Sequence, residues 1–276
     1  MARIASLSIL LDPTGKAFLK ELYGDVIQNV EKGTISGLLK NTNLSGDPEA
    51  GSVEAQRIAF AKSQTYGTAR TAGKGNNIKM KPVTVQIDND KEIIEEIENK
   101  DVSLMGVDGL LEKRAVEHQA AMIRELEYAF FDEAVDAGTK ITITETDPQK
   151  KFEKLVLQLE TTKNDYVNGV SRDLIHVILS PGEYSELRQF INTDVNNANI
   201  NTTIENFGIL NGVMVYSSIH LPVGTKGVAM VKESVALPVK STPYGASKIP
   251  QSEAFSVELF YYYGKKAVMP DLILSY

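Results

Sequence analysis

The chain has 276 residues, 42% of them apolar, no cysteine and a formal charge of −7. That length fits two packed lobes or one elaborated domain; the lack of cysteine excludes disulfide and thiolate chemistry, and the acidity argues against a surface that grips nucleic acid. No apolar run approaches the ~20 residues of a membrane helix, nothing repeats at a fixed period, and Met1–Leu11 lacks a cleavage-site pattern, so an intracellular N-terminus is expected. Residues 1–52 are weakly patterned. Phe18–Glu31 predicts a short helix interrupted at Gly24, and Asn41–Ser52 (NTNLSGDPEAGS) crowds turn formers together. This reads as an arm and linker without its own core, either a frayed terminus or an arm that orders against another subunit.

From Val53 to Met105 the chain makes a long excursion. Arg57–Lys62 alternates weakly, and Tyr66–Asn77 (YGTARTAGKGNN) nearly lacks core-forming residues. Ile78, Met80, Val83, Val85 and Ile87 then return near a period of two. Two extended segments around a Gly-rich tip predict a flap, with Pro82 marking an edge or bulged strand. Such a flap has too few apolar residues to fold alone and must lie on something. Gly73-Lys74-Gly75 lacks the spacing of a phosphate loop. Asp88–Asp101 (DNDKEIIEEIENKD) reads as a solvated acidic connection, because the calcium-loop pattern is not met.

Val107–Gly138 predicts one long helix, a strut about 45 Å long. Asp108 is the expected N-cap and Gly138 the expected left-handed C′ residue. Leu111, Ala115, Val116, Met122, Ile123, Leu126, Ala129, Phe130 and Ala134 share a broad apolar face. Leu110, Ala121, Tyr128, Phe131 and Val135 form a thinner strip opposite, expected to touch something else. Beyond it, Ile141–Thr144 alternates briefly. Asp147 and Pro148 then open a second helix with Phe152, Leu155, Val156 and Leu159 inward.

Leu174–Leu179 predicts a buried strand, and Ser180-Pro181 starts a helix carrying Tyr184, Leu187, Phe190 and Ile191. Thr193–Asn206 is an Asn-rich loop, and Asn211-Gly212 is a turn into a strand at Val213–Tyr216. Further strands are expected at Gly227–Val231 and Val235–Val239. Ser241–Gln251 is a connection, and Phe255–Tyr263 with Lys266–Leu274 forms a strand pair hinged near Gly264. The fold class is therefore α+β.

Catalytic chemistry finds no foothold. His118, His176 and His220 lie apart, without the close helical spacing of metal ligands, and His176 reads as a satisfied structural histidine. No nucleophile elbow, dinucleotide fingerprint or kinase set is present. Tyr261-Tyr262-Tyr263 suggests a stacking platform, but alternation points Tyr262 away from its neighbours, favouring packing. No enzyme, cofactor or metal is expected.

The order of parts resembles that of a tailed-bacteriophage major capsid protein, a shell-forming fold shared with encapsulins. The stretches that carry this are TYGTARTAGKG, VTVQIDNDKEIIEEIENKDV, GVDGLLEKR, LSPGEYSELRQF, GILNGVMVYSSIHLP and ELFYYYGKKAVMPDLILSY. The resemblance implies an N-terminal arm (1–52), an extended β loop (53–101), a peripheral domain (102–164 and 252–276, with a spine helix at 108–137) and an axial domain (165–251). It implies pentamers and hexamers of an icosahedral head enclosing double-stranded DNA, built in the host cytoplasm, with scaffolding, portal and decoration proteins as possible partners. No charged helical extension precedes the arm, so a fused scaffolding segment is expected to be absent or removed. Some relatives crosslink through lysine and asparagine; Lys74, Asn76 and Asn77 lie at the tip, but no matching acid is evident and that chemistry is not carried over. Rival readings are an encapsulin-type cellular compartment and an enzyme of unfamiliar type.

Subunit contacts are expected at two places. The strut's second strip offers Tyr128 and Phe131 to a neighbour. The flap, with Arg70, Lys74, Lys79 and Lys81 and no acid between Tyr66 and Lys81, should attract Glu92, Glu95 and Glu96 of the acidic connection across subunits.

Overall fold

The residues described by the computed structural model are 6–59, 61, 63–75, 78–102, 106–193 and 208–276. After a 3-10 turn at Leu7–Leu11 come helices α1 (Pro13–Gly33) and α2 (Ile35–Leu39), then the short strand β1 (Leu44–Ser45). The flap consists of β2 (Ser52–Ile58), the short helix α3 (Thr68–Ala72) and β3 (Met80–Gln86). Strand β4 (Asn89–Ile97) and the turn α4 (Asn99–Val102) precede the long helix α5 (Gly106–Ala137). Next are β5 (Thr139–Lys140), α6 (Pro148–Glu160), β6 (Ile175–Leu179) and α7 (Pro181–Thr193). Then follow β7 (Ile209–Leu210), β8 (Val213–Ser217), β9 (Gly227–Val231), β10 (Val235–Ala236) and β11 (Val239–Ser241). The chain closes with β12 (Gly245–Lys248), β13 (Phe255–Tyr263), β14 (Lys266–Ala267) and β15 (Ile273–Ser275). The Asn-rich loop and Asn76-Asn77 fall outside the described residues, Thr193 excepted.

Two units share these elements: residues 1–38, 86–127 and 237–264 form one, and 39–85, 128–236 and 265–276 the other. In the first, β13 is the central strand. β4 runs antiparallel along its whole length on one side, and β12 and β11 pair with its two ends on the other. The N-terminal segment is not a coreless arm. α1 continues unbroken through Gly24 and buries Leu19, Val26 and Val30 along one stripe. A helical glycine costs only about 1 kcal/mol relative to alanine, which burial of that stripe offsets. Tyr23 ties the helix down, its hydroxyl bonded to Ser241 and its ring edge-on to Tyr244.

The second unit is built on a six-stranded sheet of order β5-β15-β9-β6-β8-β7. β6 is buried at every position, which is why it reads as a continuous apolar run. α6 and α7 cover one face through Phe152, Leu155, Val156, Leu159, Leu187 and Ile191. Asp147 caps α6 as expected, its carboxylate accepting from the Gln149 and Lys150 amides. The Asn211-Gly212 turn is also as expected: both residues have positive φ, 49° and 86°, as a tight hairpin turn requires. Arg172 bonds Glu153 and Glu160, and Asn211 donates to Glu153 at 2.8 Å, fixing that turn to α6.

Two expected strands divide. Val235–Val239 splits into β10 and β11, which join different sheets, because Pro238 has no N–H to continue a ladder. Lys266–Leu274 breaks at Pro270, which opens a 3-10 turn. β14 then pairs with β10, and β15 with β9 and β5; neither pairs with β13. The strut starts at Gly106, leaving Asp108 in its first turn and not at the cap. Gly138 does not take a positive φ. It is glycine because a Cβ there would lie 2.5 Å from the Ala134 carbonyl oxygen and 2.8 Å from the Ile273 side chain.

Candidate assembly surface

The acidic connection is a strand, and its alternation gives it two unlike faces. On the inner face Lys91 lies 2.8 Å from Glu125 of α5, and Glu95 accepts from Arg114 Nε at 2.7 Å. Glu125 also accepts from the Tyr263 hydroxyl at 2.7 Å. Four strand residues span about 13 Å and eleven helical residues about 16 Å, so β4 and α5 lie antiparallel, pinned at both ends. The hydrogen bond from Arg114 holds the Glu95 carboxyl below its ordinary range, burial opposing it. His118, buried on α5, bonds the Tyr244 hydroxyl through Nδ1 at 2.9 Å; its Nε2 lies 3.0 Å from Glu95, out of line for a hydrogen bond. Burial raises the Tyr244 and Tyr263 phenols and pushes Tyr261 up to about 12. Glu95 is therefore a tie within its own subunit and not an offered charge. The outer face carries Asp90, Glu92, Ile94 and Glu96, all exposed.

The flap stem is folded onto its own unit. Val53, Ala55 and Val85 pack with Ala236 and Val268. Arg57 is 9% exposed; its Nη2 donates to Asp271 at 2.7 Å and its guanidinium sits 4.3 Å from the Tyr166 ring centre. Sequence reading passed over Arg57, although it occupies an inward position of an alternating strand. The Ala59 amide donates to the Lys79 carbonyl at the end of the stem. Beyond it Arg70 and Lys74 are exposed, as are Tyr66 and Ile78, and Lys81 is exposed within β3. Lys79 pairs with Asp165 at 2.9 Å, but both side chains are over half exposed, where solvent screens such a pair. Pro82 lies in β3, an edge strand as expected.

On α5 the two expected contact residues part company. Tyr128 is 47% exposed, whereas Phe131 is fully buried and packs edge-on against Phe130. Phe131 belongs to the subunit's own core and has no surface for a neighbour. Val116, expected inward, is 63% exposed. Glu127 is buried instead, accepting from the Ser36 amide at 2.7 Å. Hydropathy misses such positions because a buried polar group is tolerated once it is hydrogen-bonded.

His176 is not satisfied: its Nδ1 is buried with no protein hydrogen-bond partner among the described residues, and its ring stacks on Tyr216. Burial, and secondarily Lys232, lowers its pKa from the ordinary 6.5. Unfolded chains then bind a proton that the folded state refuses. Its contribution is complete above pH 6.5 and lost as pH falls below it. Relative to wild type, His176→Phe should lose less melting temperature between pH 7 and pH 5; equal losses would remove this account.

Among the described residues no three His, Asp or Glu side chains could together hold a metal ion, and no helix is long and apolar enough to cross a membrane. No protein-family model matches the sequence, nor does any curated protein. Solved structures do match. A structure from Mycobacterium phage Che8 is 18% identical with a TM-score of 0.59, over 82% of this chain and 84% of that one. The capsid structure of cyanophage P-SCSP1u is 16% identical with a TM-score of 0.60, over 86% and 85%. A virus-like particle from Pyrococcus furiosus is 13% identical with a TM-score of 0.59, over 94% and 98%.

Proposed function

We propose that this chain, whose α+β fold is that of tailed-phage capsid proteins, is the subunit of a closed protein shell. The observation that carries the reading is the likeness, over most of both chains, to the cyanophage capsid structure, the virus-like particle and the phage Che8 structure. The finer reading is a phage major capsid protein that forms the pentamers and hexamers of an icosahedral head around double-stranded DNA. Scaffolding, portal and decoration proteins would then be its partners, the virion its destination and the host cytoplasm its place of assembly. The peripheral (102–164, 252–276) and axial (165–251) assignments belong to the same reading. Its arm (1–52) would hold a folded helix, and its extended loop (53–101) would be anchored by the stem strands β2 and β3.

Negative-stain microscopy of the purified chain tests this, with closed shells expected and only monomers overturning it. Nuclease-protected DNA inside particles from infected cells separates a phage head from a cellular compartment loaded with protein cargo. Tyr128, half exposed on a rigid helix, fits a subunit contact. Tyr128→Asp is expected to leave melting within a few degrees of wild type while shell yield falls at least tenfold. A normal shell yield would remove Tyr128 from the interface.

A further inference from the structure

Three soft donors stand side by side on one face of the six-stranded sheet. His176 of β6 lies directly opposite Met214 of β8 on one side and Met230 of β9 on the other. Directly paired residues share a face, with Cβ atoms about 4.5–5.5 Å apart. Methionine, unbranched and freely rotating along its chain, can bring its sulfur toward the ring from either side. The row grades from closed to open: Met230 has no exposed surface, His176 is 9% exposed and Met214 41%. A small ion can therefore reach the histidine past Met214. The His176 Nδ1 is buried with no hydrogen-bond partner among the described residues, so it forfeits hydration without return. Tyr216, paired with Ile178, stands on the same face one step along β8. Its ring stacks on His176 with centroids 6.0 Å apart, and its hydroxyl donates to the Met214 sulfur at 3.3 Å. That contact keeps the Met214 sulfur close to the stacked rings.

The chemistry of the set selects its occupant. Thioether sulfur with imidazole favours Cu(I) over the oxygen-seeking magnesium and calcium ions. None of the three side chains is an anion, and the positive charge of Lys232 already acts on the His176 ring. A divalent ion would bring two uncompensated charges to a largely desolvated place, a monovalent ion one. The chain has no cysteine, so no thiolate of its own competes for a soft ion. We propose that Met214, His176 and Met230 form a binding site for a soft monovalent cation of the cuprous class. Binding gives Nδ1 the partner it lacks and ties β8 to β9 across β6. The site lies within one subunit and does not depend on the shell reading.

The probe is silver ion, which shares the softness and single charge of Cu(I), added to the full chain in chloride-free buffer. Saturable binding is expected. The methyl resonances of Met214 and Met230 and the ring resonances of His176 should shift together, and the melting temperature should rise with silver concentration. Met214→Leu and Met230→Leu nearly conserve volume and should each weaken binding at least tenfold, while His176→Phe should abolish it. Cuprous ion supplied without oxygen should displace the silver, and zinc ion at the same concentration should not. No saturable binding, or binding undiminished in both leucine variants, overturns the site. So does a silver complex that shifts Met214 alone, since an exposed thioether then holds an adventitious ion only. Displacement by zinc overturns the soft monovalent assignment. If Met230→Leu loses stability without metal, Met214→Leu decides, because that side chain is already 41% exposed.

Discussion

Phe130→Ala is expected to lower subunit stability by about 3–5 kcal/mol, the cost of deleting a buried aromatic ring and leaving a cavity. Phe130 has no exposed surface, and its ring meets Phe131 edge-on with centroids 5.4 Å apart. Phe131→Asp should be worse, because it also strands a carboxylate in that core. It is therefore expected to yield unfolded or aggregated chain and not a folded subunit defective in assembly, which distinguishes it from Tyr128→Asp. Urea denaturation of Phe130→Ala followed by circular dichroism is the measurement; a midpoint near wild type would mean that the ring is not buried.

Arg57→Met should cost about 3 kcal/mol, near the lower end for breaking one partner of a buried ion pair. The lower end applies because Asp271 keeps 28% of its side chain exposed. The substitution keeps the aliphatic bulk but leaves the Asp271 carboxylate with Asn164 as its remaining side-chain donor among the described residues. The pH dependence follows from the opposing effects on Asp271. Burial, the largest single effect, raises its pKa, but the hydrogen bond and charge of Arg57, with the backbone and Asn164 hydrogen bonds, together outweigh it, and the net displacement is below the ordinary 3.8. A depressed carboxyl stabilises the fold fully above its unfolded pKa and loses that contribution as pH falls through the folded value. Without Arg57 the two effects that it supplies are lost and the downward displacement shrinks, so the gap between variant and wild type should narrow at acid pH. Arg57→Met/Asp271→Leu should recover most of the loss. A double variant no more stable than the single one would show that the pair does not anchor the flap stem.

Local signals were legible wherever the physics is local. Asp147-Pro148 starts α6 because a carboxylate and a ring with fixed φ satisfy the first turn from neighbouring residues alone. β6, β9 and β13 follow their apolar runs closely, and Tyr262 faces away from Tyr261 and Tyr263 because strand geometry alternates. The order of such elements sufficed to suggest a shell-forming fold. Tertiary structure decided what those signals could not. Lys91 and Glu95 look like solvated charges until Glu125 and Arg114 arrive beneath them, turning an acidic connection into a strand. Phe131 looked free for a neighbour and Val116 looked buried, since composition around a 32-residue helix does not say which arcs other elements cover. Arg57 finds Asp271 across 214 residues of sequence. Caps, turns and periods are set by atoms a few residues apart, whereas burying a charge or opening a sheet edge depends on partners that only the folded chain brings near.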